Sequence, residues 1–340
     1  MVMTREPHTE DRSPEQARTT VVRGVAWSEA AGESALSSID EITHAFGDPD
    51  ARVWVDLQDA AQADLEALGA CLGIHPLVIE DIAERNQRAK VEYTDDLMHL
   101  VVFALVYGET LEPVELDIVL GKRFLLTSHP PDHQPLTAGA VGRSGPAYFL
   151  AKGVDFALYS VLDTIVDGYF PVVDRLSDVT DDLEDLVVQK PDRTVVEQLF
   201  GVRRSLLMVR RTVTPEREVL NQLTNRENGL IQSDTLIYFR DVYDHLVRIT
   251  DELDTHRELL SSALEAYLST VNNNLSEIMK RLTAVTAVLA GVGAVAGIFG
   301  MSEAATALDF KEGGGFWFVT AVVLGVGVAI TAYFRHIDWI

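Results

Sequence analysis

Two uncharged apolar runs near the C-terminus constrain this chain more than any other feature. From Leu282 to Ser302 about 21 residues pass without a charge, and from Gly313 to Phe334 about 22 more, against the roughly 20 apolar residues of helix that a bilayer core requires. Both runs therefore predict membrane spans. Everything before about residue 280 reads as soluble protein. Residues 1–19 are polar and charged, which predicts a disordered tail and no signal peptide. Lys280 and Arg281 precede the first run, and Arg335 and His336 follow the second. The loop between them holds Glu303, Asp309 and Glu312 against Lys311. The positive-inside tendency then places both termini in the cytoplasm, as expected of a multi-pass protein of the inner (plasma) membrane. The single cysteine, Cys71, excludes an intramolecular disulfide and suits a reducing compartment.

With 52 acidic and 28 basic side chains the formal net charge is -24. Such a chain is not expected to bind nucleic acid, because no basic patch large enough to follow a phosphate backbone is visible. The charge is compatible with cation chemistry, and equally with plain solubility. No Gly-rich phosphate loop precedes a helix, and no His-Glu-x-x-His occurs. Neither an enzyme nor an organic cofactor is expected. His129 and His133 of "HPPDH" could take a metal, but the segment reads better as a loop.

Between residues 20 and 130 strand-like and helix-like pieces alternate. "RVWVDL", "HLVVFALVY" and "ELDIVLGKRFLLTSH" are rich in Val, Leu and Phe, and Gly121-Lys122 predicts a hairpin turn in the last. "QADLEALGACLG" and "HPLVIEDIAERNQ" predict helices, the second starting near Pro76. A mixed α/β domain follows. Asp155–Gln189 and Asp192–Asn225 carry helical periodicity, broken at Pro191, with a kink expected at Pro215. From Ile231 through Ala290 there is neither Gly nor Pro. Leu246, Ile249, Leu253, His256, Leu260, Ala263 and Tyr267 alternate spacings of three and four, the pattern of a coiled-coil seam. A helix this long that enters a membrane unbroken predicts parallel copies gathered around an axis. The expected fold class is an α+β membrane protein. A cytoplasmic α/β domain (20–150) and a helical stalk (151–280) precede a two-helix transmembrane domain (281–340), and the long coiled-coil-like helix continues into the first span.

Along that helix Ser276, Met279, Thr283, Thr286, Ala290, Gly293 and Gly297 share one polar or small face. Such a stripe has two readings. One is close helix packing, with Gly293 and Gly297 as a small-xxx-small pair. The other is a pore lining. Gly300-Met301-Ser302 closes the helix, where unpaired carbonyls favour a cation, although a glycine cap would look the same. Among the cytoplasmic acids, Glu80 and Asp81 lie in "VIEDIAER", Asp163 and Asp167 in "YSVLDTIVDGYF", and Asp241 in "YFRDVYDH". Carboxylates suit hard divalent cations, but most acids on helices are solvated faces.

"YFRDVYDH", "YLSTVNNNLSEIMKRLT", "AGIFGMS" and the closing "YFRHIDWI" resemble the CorA family of divalent-cation transporters, and "HPLVIEDI", "NQRAKVEY" and "YSVLDTIVDGYF" resemble its cytoplasmic landmarks. The resemblance covers roughly residues 50–340. It implies a homopentamer in the lipid bilayer that moves Mg²⁺, and often Co²⁺ or Ni²⁺, through a pore lined by the long helix. By the same resemblance Gly300, Met301 and Ser302 stand at the Gly-Met-Asn mouth, and Met279 and Leu282 at a hydrophobic constriction. Asp81 and Asp241 match acids that bridge neighbouring subunits through regulatory Mg²⁺, with Glu80, Asp163 and Asp167 nearby. This chain departs from the family pattern at several points. Serine replaces asparagine at 302 and at 276, Ala290-Gly291 replaces Met-Pro, Asn86–Lys90 lacks the usual His and Pro, and the C-terminal basic cluster is thin. These departures bear on ion choice. A Zn²⁺ transporter of the ZntB type and a non-conducting membrane-anchored metal sensor or scaffold are the alternatives.

Overall fold

The computed structural model describes residues 20–94, 96–107, 111–131, 135, 139–189, 192–225, 229–300, 314–337 and 339. They fall into two compact units. The first comprises the residues up to 182 together with 198–260, and the second comprises 183–197 and 261–340.

The first unit is built on a seven-stranded sheet of order β2-β1-β3-β7-β6-β5-β4. Its strands are β1 Val21–Ser28, β2 Gly32–Leu36, β3 Arg52–Gln58, β4 Lys90–Thr94, β5 Leu97–Tyr107, β6 Leu111–Leu120 and β7 Phe124–His129. Among the described residues only β3 and β7 pair in parallel, so the sheet is mixed as expected. Gly121-Lys122 does turn the chain between β6 and β7. The period of two along β3 assigns its faces. Val53, Val55 and Leu57 join Ile42 of α1 (Ile39–Phe46), Leu65 and Leu68 of α2 (Gln62–Leu72) and Ile79 and Ile82 of α3 (Pro76–Glu84) in one core. Trp54 and Asp56 point to the opposite face. There Trp54 Nε1 donates to Thr127 Oγ1 at 3.3 Å, and Asp56 meets His129 at 3.2 Å. His129 is thus a buried strand residue paired to a carboxylate. His133, the other histidine of the loop, lies outside the described residues.

Three sequence expectations are corrected. The helix of "HPLVIEDIAERNQ" stops at Glu84, because Arg85 turns left-handed (φ 47°) and sends its guanidinium to Asp59 Oδ1 (3.3 Å) and the His129 carbonyl (3.1 Å). The segment Asp155–Gln189 is two helices, α6 (Val154–Asp167) and α7 (Phe170–Gln189), since the chain breaks at Gly168 and buries Tyr169; α4 (Gly139–Ser144) and α5 (Pro146–Lys152) precede them. Pro215 lies inside α8 (Arg193–Asn225), and the expected kink is compatible with one continuous helix. The third correction concerns α9, which runs from Leu236 to Gly300 over 65 residues. Its seam is not free to zip with copies, because Leu246, Ile249, Leu253, Leu260 and Ala263 are already buried by the same chain. Aromatic contacts of Tyr238 and Phe239 with Tyr159 on α6, and an ion pair from Arg210 on α8 to Asp254, show what covers its first half.

In the second unit the seam ends and the surface changes. From Leu268 onward α9 exposes Leu275, Ile278, Leu282, Leu289 and Ile298, and α10 (Gly314–His336) exposes Trp317, Leu324 and Val328. The apolar window of α9 is 6% buried, against 61% for that of the somewhat less apolar stretch Val154–Val187, which is core. So large a bare apolar surface requires lipid or other copies to cover it. α10 packs on one side of α9, where Ala284 is fully buried. A methyl at Gly291 would come within 2.6 Å of Ile330 Cδ1, so the missing side chain sets the approach of the two helices.

A buried polar ring ties the sheet to the helices of the first unit. Phe103 N–H on β5 donates to Glu216 Oε1 of α8 at 2.6 Å, and the Tyr169 hydroxyl reaches both the Phe103 carbonyl and Glu216 Oε2. One hydroxyl proton cannot serve two acceptors. A neutral Glu216 resolves this by donating to the Tyr169 oxygen, while Tyr169 donates to Phe103. Burial pushes the Glu216 carboxyl up to about 8, against the pull of the Tyr169 and Phe103 hydrogen bonds. A raised carboxyl stabilises fully below its ordinary value of 4.5, and that contribution is lost as pH rises through about 8. Glu216→Gln keeps both the donor and the acceptor, so it should flatten this dependence. Thermal unfolding at about pH 5.5 and about pH 8 should show the wild type losing at most ~1.4 kcal/mol per pH unit relative to the variant. Equal slopes would show that Glu216 is ionised when folded.

Candidate cation pathway and metal-binding acids

The stripe on α9 is placed by what α10 leaves uncovered. Ala284, Val288, Gly291 and Val292 lie on the side that meets α10. Ser276, Met279, Leu282, Thr283, Thr286, Ala290, Gly293 and Gly297 are all exposed, and a methyl at Gly293 or Gly297 would touch nothing within 4 Å. Within one chain, therefore, Gly293 and Gly297 are not the contact that seats α10. The stripe's hydroxyls are turned back on their own helix. Thr283 Oγ1 donates to the Met279 carbonyl at 2.7 Å and Thr286 Oγ1 to the Leu282 carbonyl at 2.8 Å. With the proton committed to the backbone, each oxygen keeps lone pairs for water or a hydrated cation. Gly300 is the last residue of α9. Met301 and Ser302, and the loop acids after them, lie outside the described residues.

Among the described residues, acids and histidines come together in two separate clusters of the first unit. Asp81, on α3, accepts from Lys90 Nζ at 2.6 Å and from Gln87 Nε2 at 3.3 Å. Lys90 also reaches Glu92 at 3.1 Å. Burial works against the Lys90 charge, but the two carboxylates outweigh it and hold the ammonium above its ordinary value. Ligand atoms of Asp81, Glu92 and His99 lie within 4.8 Å of one another. His99 Nε2 is 3.0 Å from the buried Asp117, and nearby Glu115 is pushed up to about 7, first by burial and then by the Asp117 charge. Glu80, the neighbour of Asp81, is exposed on the far side of α3 beside Gln62 and Glu66.

The second cluster joins α6 to α9. Asp163, Asp167 and His245 bring ligand atoms within 4.8 Å of one another, and His245 Nδ1 stands 3.9 Å from Asp167 Oδ1. The imidazole packs edge-on against Phe170, with ring centroids 5.5 Å apart. Burial, followed by the Asp167 charge, pushes Asp163 up to about 6, and exposed Asp241 adds to the same shift. Burial and the charges of Asp163 and Asp241 also raise the Tyr159 hydroxyl. Asp163, Asp167 and Asp241 are thus brought together, whereas Asp81 and Asp241 belong to different clusters of the chain. Sequence reading missed His245. Its signal was present, since His245 follows Asp241 by four residues and shares its helix face.

A family model described as CorA-like Mg²⁺ transporter protein matches residues 50–336. The chain belongs to this CorA-like family, which is one of transporters and not of enzymes. It is 32% identical over 303 residues to the cobalt/magnesium transport protein CorA of Thermotoga maritima, covering 87% of this chain and 85% of that one. The complete structure of the CorA magnesium transporter from Methanocaldococcus jannaschii superposes with a TM-score of 0.75 at 25% identity, covering 93% of this chain and 98% of that one. The ZntB cytoplasmic domain from Vibrio parahaemolyticus shares the fold alone, with a TM-score of 0.54 at 10% identity over 74% of this chain and 99% of that one.

The Asp163 cluster has a measurable signature. A carboxylate must lose its proton to ligate a metal, so Co²⁺ affinity here should fall by about tenfold or more per pH unit below about 6. Imidazole suits Co²⁺ and Ni²⁺ better than Mg²⁺. His245→Ala should therefore weaken Co²⁺ binding in calorimetric titrations more than Mg²⁺ binding. Equal losses for both ions would remove His245 from the ligand set.

Proposed function

We propose that the chain assembles as a homopentameric channel for hydrated divalent cations in the inner membrane, with both termini in the cytoplasm and Mg²⁺ as first cargo, Co²⁺ and Ni²⁺ following. One observation carries this reading. The polar and small stripe of α9 from Ser276 to Gly297 is exposed on the side away from α10, and a hydrated ion needs such a face around a common axis. Gly300, Met301 and Ser302 form the mouth. Met279 and Leu282 close the pore by dewetting. Asp81 of one subunit and Asp241 of the next hold the closed state through Mg²⁺. When cytoplasmic Mg²⁺ falls, the bridges empty and the acidic subunits repel one another. Lys90 competes for Asp81 meanwhile, since its ammonium occupies the position a cation would take.

His245 beside Asp163 and Asp167 favours a second reading, in which Zn²⁺ or another transition metal is regulator or cargo. Flux into liposomes separates the two. Mg²⁺, Co²⁺ and Ni²⁺ influx above that of empty vesicles is expected, and Zn²⁺ carried in preference to Mg²⁺ would establish the second reading. No flux of any of the four ions would leave a membrane-anchored sensor or scaffold. Asp241→Ala should raise Mg²⁺ flux several-fold at high internal Mg²⁺, and unchanged inhibition would remove Asp241 from the gate. Ser302→Asn should sharpen selectivity for Mg²⁺, measured as competition by Co²⁺ and Zn²⁺.

A further inference from the structure

A groove of about 750 Å³ lies in the first unit between α8, the strands β5 and β6, and the loop that follows α3. Three guanidinium groups line it: Arg88 from the loop, and Arg204 and Arg211 from α8. All three are exposed, and none forms an ion pair among the described residues. Composition does not predict this, because acids outnumber bases 52 to 28. The neighbouring Arg210 shows the contrast, since it is engaged by Asp254 of α9. Arg204 and Arg211 are seven residues apart and so lie on one face of α8, with Leu207 and Met208 between them. The apolar part of the lining comes from Ala89, Phe103, Pro113, Leu207, Met208 and Pro215.

Three unpaired like charges around one groove repel, and an anion there offsets the repulsion. A single carboxylate would engage one guanidinium. Three planar forks match a chain of phosphates, each able to take paired N–H donors. The apolar lining with the half-buried Phe103 ring suits a flat, weakly polar group. The volume is that of a small-molecule site. We propose that this groove binds a soluble nucleoside polyphosphate, with its phosphates on Arg88, Arg204 and Arg211 and its base against Phe103 and Pro113. The binding does not rest on which cation the protein carries. The ligand would also bear on the regulatory loop, because Gln87, adjacent to Arg88, donates to Asp81 at 3.3 Å.

The test uses the purified full-length protein in detergent, in buffer free of divalent metal, with radiolabelled ATP as probe. Saturable binding is expected, displaced by pyrophosphate and not by adenosine. Arg88→Gln, Arg204→Gln and Arg211→Gln should each weaken it by about tenfold. Arg203→Gln, exposed on α8 but outside the groove, should leave it unchanged. All four substitutions are at exposed positions, so thermal midpoints should stay near wild type. Absence of saturable binding would overturn the proposal, as would equal loss in Arg203→Gln, which would indicate bulk charge. Displacement of ATP by anionic lipid vesicles but not by pyrophosphate would assign the groove to a membrane surface and overturn it. If the wild type binds no ATP and the oligomer dissociates in Arg204→Gln, an acidic segment of a second copy fills the groove and the proposal fails.

Discussion

The structure depends on a change of surroundings along one helix. Up to Ala263 the apolar seam of α9 is covered by residues of its own chain. From Leu268 onward the same helix offers large apolar side chains that nothing among the described residues covers, apart from the one side taken by α10. Water is a poor solvent for that surface, so its second half calls for lipid or companion copies as firmly as its first half specifies a folded subunit. Because α10 occupies the Ala284 and Gly291 side, the polar stripe is left for whatever stands opposite it. The pore reading follows from this subtraction more than from the polarity of the stripe, since threonines that bond back to their own helix carbonyls are tolerated against lipid as well as water.

Much of this was legible in the sequence, for identifiable reasons. The two spans need only hydropathy and length, and strands such as β3 and β5 need only a run of β-branched and aromatic residues. The seam from Leu246 to Ala263 was read correctly as an apolar stripe and wrongly as an interface between copies. Periodicity reports that a face is buried and says nothing about who buries it. The break at Gly168 and the early stop of α3 were hidden for a related reason. Tyr169 and Arg85 act through distant partners, Glu216 in one case and Asp59 with the His129 carbonyl in the other. Contacts between residues so far apart in sequence leave no local pattern. His245 was missed because a histidine four residues after an aspartate on a long helix is unremarkable until Asp163 and Asp167 are seen across from it.

The electrostatics divide along the same lines. A chain of net charge -24 must keep its acids apart or share cations among them. At Asp81 the chain supplies its own cation, Lys90, held above its ordinary value by Asp81 and Glu92. At Asp163 it supplies no ammonium, only the His245 ring, and burial with the Asp167 charge pushes the carboxyl up to about 6. The two clusters therefore differ in what a metal must displace. At the first it competes with an ammonium, and at the second with protons. A regulator built from both would respond to metal and pH together, with the Asp163 side the more sensitive to acid.

Ion identity rests on far fewer atoms than the fold does. A cytoplasmic domain from a ZntB protein adopts the same fold at 10% identity, so the scaffold is compatible with more than one family pattern. What discriminates is the ring at the mouth. An asparagine there places a carbonyl acceptor and two donors some distance from the backbone, whereas Ser302 offers one hydroxyl on a single carbon. At the mouth of the proposed pore a symmetric ring of serines would be wider, and would meet the water shell of a hydrated ion with fewer and shorter arms. Mg²⁺ holds that shell most tightly, so it loses most when the ring cannot grip the waters from outside. Softer ions that exchange their waters readily depend less on that grip. In the proposed pore a serine ring would therefore narrow the advantage of Mg²⁺ without needing to create a site for anything else.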